Sequence, residues 1–158
     1  MTTASTPSSR PRGLSSCRKR ECCVIEPRDA REAALLDLAH ELGATVHYSD
    51  LPGTLRGVWD PNGPRILLRR RLASAQRVST LAHEIVHARR GDRGCQTAST
   101  EQHVDELAAR MLITEAAYRR AEILYGPATW AIAVELDVTP ALVEAWKRAR
   151  EREWHRAR

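Results

Sequence analysis

Residues 73 to 91 read Ala73-Ser-Ala-Gln-Arg-Val-Ser-Thr-Leu-Ala-His-Glu-Ile-Val-His-Ala-Arg-Arg-Gly91. Val78, Leu81, Ala82, Ile85 and Val86 recur there at helical spacing, and Gly91 is a suitable stop. The segment predicts an amphipathic helix with one apolar stripe. At about 100° per residue, His83 and His87 fall roughly 130° to 170° from the centre of that stripe. One side of the helix can therefore pack while the other faces a cleft.

Two histidines four residues apart project from one helix face and can grip a single ion. Glu84, rotated about 100°, can reach the ion's water without being a ligand. Zinc held by three protein groups keeps a fourth position for water, lowers the pKa of that water towards about 7 and polarises a scissile carbonyl. His83 and His87 are thus the expected metal ligands, Glu84 the expected catalytic base and Zn2+ the expected cofactor. A five-residue match with three specified positions also arises by chance on charged helices. The apolar stripe behind the histidines tells against chance here.

A third ligand has to come from another element. The next helical pattern begins near Thr100, where Thr100 and His103 stand in for a Thr-x-x-Glu capping box. It offers Glu101, His103, Asp105 and Glu106. Measured from the centre of the Val104, Leu107, Ala108, Met111 and Leu112 stripe, Glu101 lies roughly 50° away and Asp105 roughly 90°, with His103 about 110° off on the other flank and Glu106 pointing outward. Glu101 is the expected ligand, with Asp105 next and His103 after it. A carboxylate in a first helical turn is also favoured by the helix dipole alone. His40, His47 and His155 have weaker claims.

Working outward, Ala34, Leu35, Leu38, Ala39 and Leu42 mark a helix from Arg28 to Gly43. Three short strand-like runs follow, Thr45 to Tyr48, Leu55 to Trp59 and Arg65 to Leu68, separated by Pro- and Gly-containing turns. These predict a small antiparallel sheet. Helical patterns continue through Ala116 to Tyr125, Pro127 to Leu136 and Pro140 to about Arg152. The fold class is α+β, a small antiparallel sheet packed on a mostly helical body with the His-Glu-x-x-His motif on a central helix.

The run from Gln76 to His87 resembles the motif region of the ImmA/IrrE metallopeptidases. The preceding Arg-Gly-Val-Trp (56–59) and Arg-Ile-Leu-Leu (65–68) runs and the later Val-Asp-Glu-Leu-Ala-Ala-Arg-Met-Leu-Ile run (104–113) are similar to the same family. In that family the later helix commonly carries a Glu near an Ala-Asn pair, then Phe-Ala. Matching Leu107-Ala108 to Phe-Ala puts Asp105 at the Asn position and His103 at the more familiar Glu position. Glu101 then sits two residues earlier, as in some members. The resemblance covers about residues 30 to 125 and implies a zincin-like body and peptide-bond hydrolysis. Its arginine-rich, Ala-Ala-Arg-containing sequence suggests a phage or prophage member. Such proteins typically cut a DNA-binding repressor encoded nearby, which makes a protein substrate in the bacterial host cytoplasm the implied partner.

The rival reading lies in Trp130 to Trp146. Ala133, Leu136, Val138 and Val143 are spaced like a helix-turn-helix, which would make the protein a DNA-binding regulator. Its second helix shows Glu144 and Ala145 where base- or phosphate-contacting groups would help, with Lys147 and Arg148 only after them. A packing role is the preferred reading. A third class is a non-catalytic interaction module that keeps the fold.

The 158 residues are 42% apolar, enough to bury one core. The expected organisation is a disordered basic tail over 1–27, a metallopeptidase core over 28–125 and a helical pair packed on it over 126–158. The tail is rich in Ser, Thr, Pro and Arg and cannot offset its ordering entropy by burial. It also lacks the apolar stretch of a secretory signal. No apolar run approaches the roughly 20 residues of a membrane span. Cys17, Cys22, Cys23 and Cys95 lack zinc-ribbon spacing, so neither a disulfide nor a cysteine metal site is expected. A net charge of +5 identifies no partner.

Overall fold

A computed structural model describes residues 30–158. The expected basic tail and Cys17, Cys22 and Cys23 lie outside the described residues. Cys95 is exposed and, among the described residues, free. Six helices and three strands follow in the order α1 (Ala30–Glu41), β1 (Thr45–Ser49), β2 (Gly57–Asp60), β3 (Arg65–Arg69), α2 (Ser74–Arg90), α3 (Ala98–Leu112), α4 (Glu115–Tyr125), α5 (Thr129–Glu135) and α6 (Pro140–Arg156).

The helix α2 is central because almost every face of it has a partner. Val78, Leu81, Ala82, Ile85 and Val86 enter the core shared with α1, the sheet and α3, and Ile66 and Leu68 meet them from β3. Opposite that stripe, Glu84 and His87 are buried as well, at 7% and 8% exposure. The helix ends where expected, at Gly91 with φ +70°. Near its start, Arg77 is wholly buried against Glu32 of α1, its Nε donating to Oε1 at 2.5 Å and its Nη2 to Oε2 at 3.0 Å. A buried bidentate pair of this kind satisfies both charges at once and fixes the angle of α1 on α2.

The sheet is mixed, which corrects the expectation of an all-antiparallel one. Its order is β1-β3-β2, with β2 antiparallel to β3 and β1 parallel to it. The reason is the length of the connections. Residues 61–64 are a tight turn and fold β3 back onto β2. Residues 50–56 are long enough to step across two strand spacings, about 9.6 Å. The gap left between β1 and β2 is filled by β3, and β2 becomes an edge strand running along α2.

The start of α3 is earlier than its sequence pattern suggests. Thr97 is the N-cap, its hydroxyl accepting from the Thr100 N–H at 3.2 Å. Helix α3 is also covered on two sides, by α2 and by α6. Glu106, expected to point outward, is therefore buried and ion-paired with Arg152 of α6. A wheel drawn for a single apolar stripe has no way to register a second covering helix.

Candidate metal centre

Three potential ligand groups converge beside α2. The Nε2 atoms of His83 and His87 lie 3.0 Å apart, and Glu101 Oε2 stands 3.3 Å from the first and 3.5 Å from the second. One ligand atom from each forms a group able to hold a metal ion. Zinc–nitrogen distances of 2.0–2.1 Å in a tetrahedral arrangement separate neighbouring ligand atoms by about 3.3 Å. The observed spacings match that edge.

The partners of the outer nitrogens decide which ring atoms face inward. His83 Nδ1 is 2.9 Å from Asp105 Oδ1, and His87 Nδ1 is 2.9 Å from Asp92 Oδ2. Each carboxylate accepts from an Nδ1–H, so each ring, when neutral, turns its Nε2 lone pair inward. Two lone pairs and a carboxylate oxygen then face one another within 3.5 Å. That arrangement is repulsive unless a proton or a metal ion lies among them. The two histidines at 3.0 Å are thus two members of a group that could hold a metal ion.

Asp92 was absent from the expected site, within what read as a polar loop. It arrives through the end of α2. Gly91 turns left-handed, the Asp92 N–H reaches back to the His87 carbonyl at 3.1 Å, and its side chain meets the same residue's ring. Arg90 Nε adds a 2.8 Å hydrogen bond, and with that bond as the largest influence the Asp92 carboxyl sits below the usual carboxylate range. The signal in the sequence is the residue just past the closing glycine. Asp105, the second choice for the third ligand, meets His83 at Nδ1 and lies outside the group formed by His83, His87 and Glu101. His103 is exposed and turned towards the groove between α3 and α6.

Glu84 is held from the other side by β2. The Arg69 N–H donates to the Arg56 carbonyl, so in this antiparallel register Gly57 and Trp59 direct their backbone polar groups away from β3. The Trp59 N–H is spent on Glu84. Burial pushes the Glu84 carboxyl above its ordinary range, against the His83 and His87 charges and the Trp59 hydrogen bond. For His83, burial pulls the imidazole down, but the hydrogen bond to Asp105 and the charges of Glu84, Asp105 and Glu101 outweigh it and the net shift is upward. The strand can come this close only because residue 57 is glycine. A Cβ there would lie 2.5 Å from Thr80 Cγ2 and 2.8 Å from Glu84 Oε1.

Gly57, His83, Glu84 and Asp105 line a cleft of about 290 Å³. Its far wall is the first turn of α6, where Thr139, Ala141 and Leu142 face the segment before β2. The remainder of that helix buries Val143, Ala145, Trp146 and Ala149. The end that a helix-turn-helix would offer to a DNA groove thus lines the same cleft as His83 and Glu84.

A helix-borne histidine pair with a buried acid between them, closed by a carboxylate from the following helix, places the chain among the metallopeptidases. More specifically, residues 49–144 match the IrrE N-terminal-like domain, Peptidase_M78, and the protein belongs to that family. No curated protein matches the sequence. No helix among the described residues is long and apolar enough to cross a membrane.

Proposed function

We propose that the protein is a zinc-dependent endopeptidase of the bacterial cytoplasm, with His83, His87 and Glu101 as the metal ligands and Glu84 as the proton carrier. The observation that carries this reading is the convergence of two Nε2 lone pairs and Glu101, each ring held from behind by its own carboxylate. Zinc, when bound, supplies a Lewis acid that acidifies water and polarises the scissile carbonyl. Glu84 accepts the proton of the attacking water and later delivers it to the leaving amine, a task suited to a carboxyl whose pKa is raised. Asp92 and Asp105 keep both rings in the tautomer that leaves Nε2 free.

An extended peptide fits the free edge of β2, where Gly57 offers its N–H and C=O beside Glu84. The substrate we propose is a DNA-binding repressor of a phage or mobile element, whose cleavage relieves repression. This part rests on the resemblance to ImmA/IrrE proteins. The placement of the first turn of α6 against the cleft weighs against the DNA-binding alternative.

The test is metal analysis of the purified protein together with incubation against the repressor encoded beside its gene. One zinc per chain and chelator-sensitive loss of the intact repressor band are expected. A protein that holds no zinc, or one that binds the repressor without cutting it, would refute the peptidase assignment.

A further inference from the structure

Leu107 and Met111 belong to the apolar stripe that the periodicity of α3 marks for burial, yet both are only partly covered. They stand four residues apart, one above the other on the helix surface. With Val86 they floor a groove of about 390 Å³ between α2 and α3. Its other lining residues are Arg89, Arg90 and Arg110, and no acid lies among them. None of these residues lines the cleft beside His83 and Glu84.

The three guanidinium groups are unequally committed. Arg90 gives its Nε to Asp92 at 2.8 Å, and Arg110 pairs through Nη1 with Glu153 of α6 at 2.6 Å. Arg89 is exposed and has no hydrogen-bonding or ionic partner among the described residues. Arginine and methionine are the residue types enriched where proteins meet, and the forked guanidinium suits carboxylates. A second copy would bring the same cationic rim to this one and be repelled, on a chain already at +5. Nucleic acid would satisfy the arginines, but its phosphates and sugars would leave the apolar floor without a matching partner.

We propose that the groove between α2 and α3 docks an acidic amphipathic helix of a protein partner. Its apolar side chains rest on Val86, Leu107 and Met111, and its carboxylates meet Arg89 and Arg110. A helix laid in a groove anchors through residues three or four apart, a separation of about 6 Å along its axis. Leu107 and Met111 have the same separation, so the floor matches one such pair of anchors. Arg90 keeps its Nε on Asp92 and offers a carboxylate only its outer nitrogens. The inference goes beyond the peptidase reading and does not depend on it, because the groove contains none of His83, His87 and Glu101.

The experiment titrates the full chain into fluorescein-labelled probes and reads binding by anisotropy. The probes are a helical peptide with a leucine face and a glutamate face, the same peptide with lysine for glutamate, a reordered peptide of the first composition whose leucines share no face, and a short DNA duplex. The glutamate peptide is expected to bind about tenfold tighter than either other peptide, and to weaken as salt is raised. Arg89→Glu turns an attraction into a like-charge repulsion and should weaken that binding by about tenfold. Met111→Gln keeps the shape of the floor but makes it polar, and should weaken it by about fivefold. The melting temperature of both variants is checked against wild type. Equal binding of the glutamate, lysine and reordered peptides, or glutamate-peptide binding unchanged in both variants, overturns the proposal. A duplex that binds tighter than the glutamate peptide and is lost in Arg89→Glu overturns it in favour of nucleic acid. None of these outcomes bears on zinc or cleavage, so a failure here is separate from a failure of the metal centre.

Discussion

Replacing Gly57 by alanine tests the contact on which the catalytic geometry depends. The added Cβ would meet Thr80 Cγ2 at 2.5 Å, Glu84 Oε1 at 2.8 Å and Glu84 Cγ at 2.9 Å. Carbon atoms in contact ordinarily stand about 3.5–4.0 Å apart, so about 1 Å has to be cleared. Thr80 is β-branched and stiff on its helix, and α2 is fixed by the core, so β2 has to lift. Overpacking of this kind costs about 1–3 kcal/mol. Relief of glycine's backbone entropy in a strand returns roughly 0.5–1 kcal/mol. With an overlap of this size the cost falls towards the upper end, leaving a net loss of about 2 kcal/mol. For a chain of this length that lowers Tm by about 4–8 °C. Thr80→Ala in the same chain removes the tightest contact and should restore part of the melting temperature. It should not restore cleavage, because the added Cβ still stands 2.8 Å from Glu84 Oε1 and pushes that carboxylate aside, and a 1 Å misplacement can cost about 100-fold in rate. Zinc affinity should be unchanged in both variants, since none of the three ligands touches residue 57. The assays are thermal melting, zinc competition with a chromogenic chelator and loss of the intact repressor band. A Gly57→Ala protein that melts at or above the wild-type temperature and cleaves at full rate would refute the close approach of β2 to α2.

Four further outcomes are expected. Glu84→Gln keeps fold and zinc but lowers the cleavage rate by about 100- to 10,000-fold, because an amide cannot take the water's proton; a variant that cuts as fast as wild type removes Glu84 from the mechanism. Asp92→Ala and Asp105→Ala each weaken zinc binding by about 10- to 100-fold in competition titrations, and unchanged affinity in both would mean that the rings need no outer support. Glu101→Ala loses zinc more readily than His103→Ala in elemental analysis after dialysis, and the reverse order would transfer the ligand role. Glu32→Ala leaves the buried Arg77 without its carboxylate and destabilises the fold by about 3–5 kcal/mol, read as the urea midpoint; a midpoint within error of wild type would show that α1 is not held by this pair.

What was legible in the sequence was what is local. The apolar stripe of α2 and its glycine stop are properties of one short segment, and both are where the periodicity placed them. The three strands are likewise near their expected places, but the pairing of β1 with β3 is not a local property, and the parallel direction was missed for that reason. The wheel for α3 brought Glu101 to the histidines yet could not tell which ring nitrogen each carboxylate would face. Asp105 faces Nδ1 of His83, and Glu101 faces Nε2 of the same ring. Glu106 was misplaced because α6, from much later in the chain, covers it. Asp92 was missed because its role depends on one left-handed residue that turns the chain back.

The five side chains that would hold and orient an ion all fall between His83 and Asp105. The strand that restrains Glu84 and the turn of α6 that walls the cleft come from far earlier and far later in the chain. Capturing the ion therefore demands only a short chain closure, two helices and the turn between them, whereas positioning a peptide demands the whole topology. Loop-closure entropy grows with the separation of the contacting segments. The two capacities should accordingly come apart under mild denaturation, the grip on the ion outlasting the shape of the cleft.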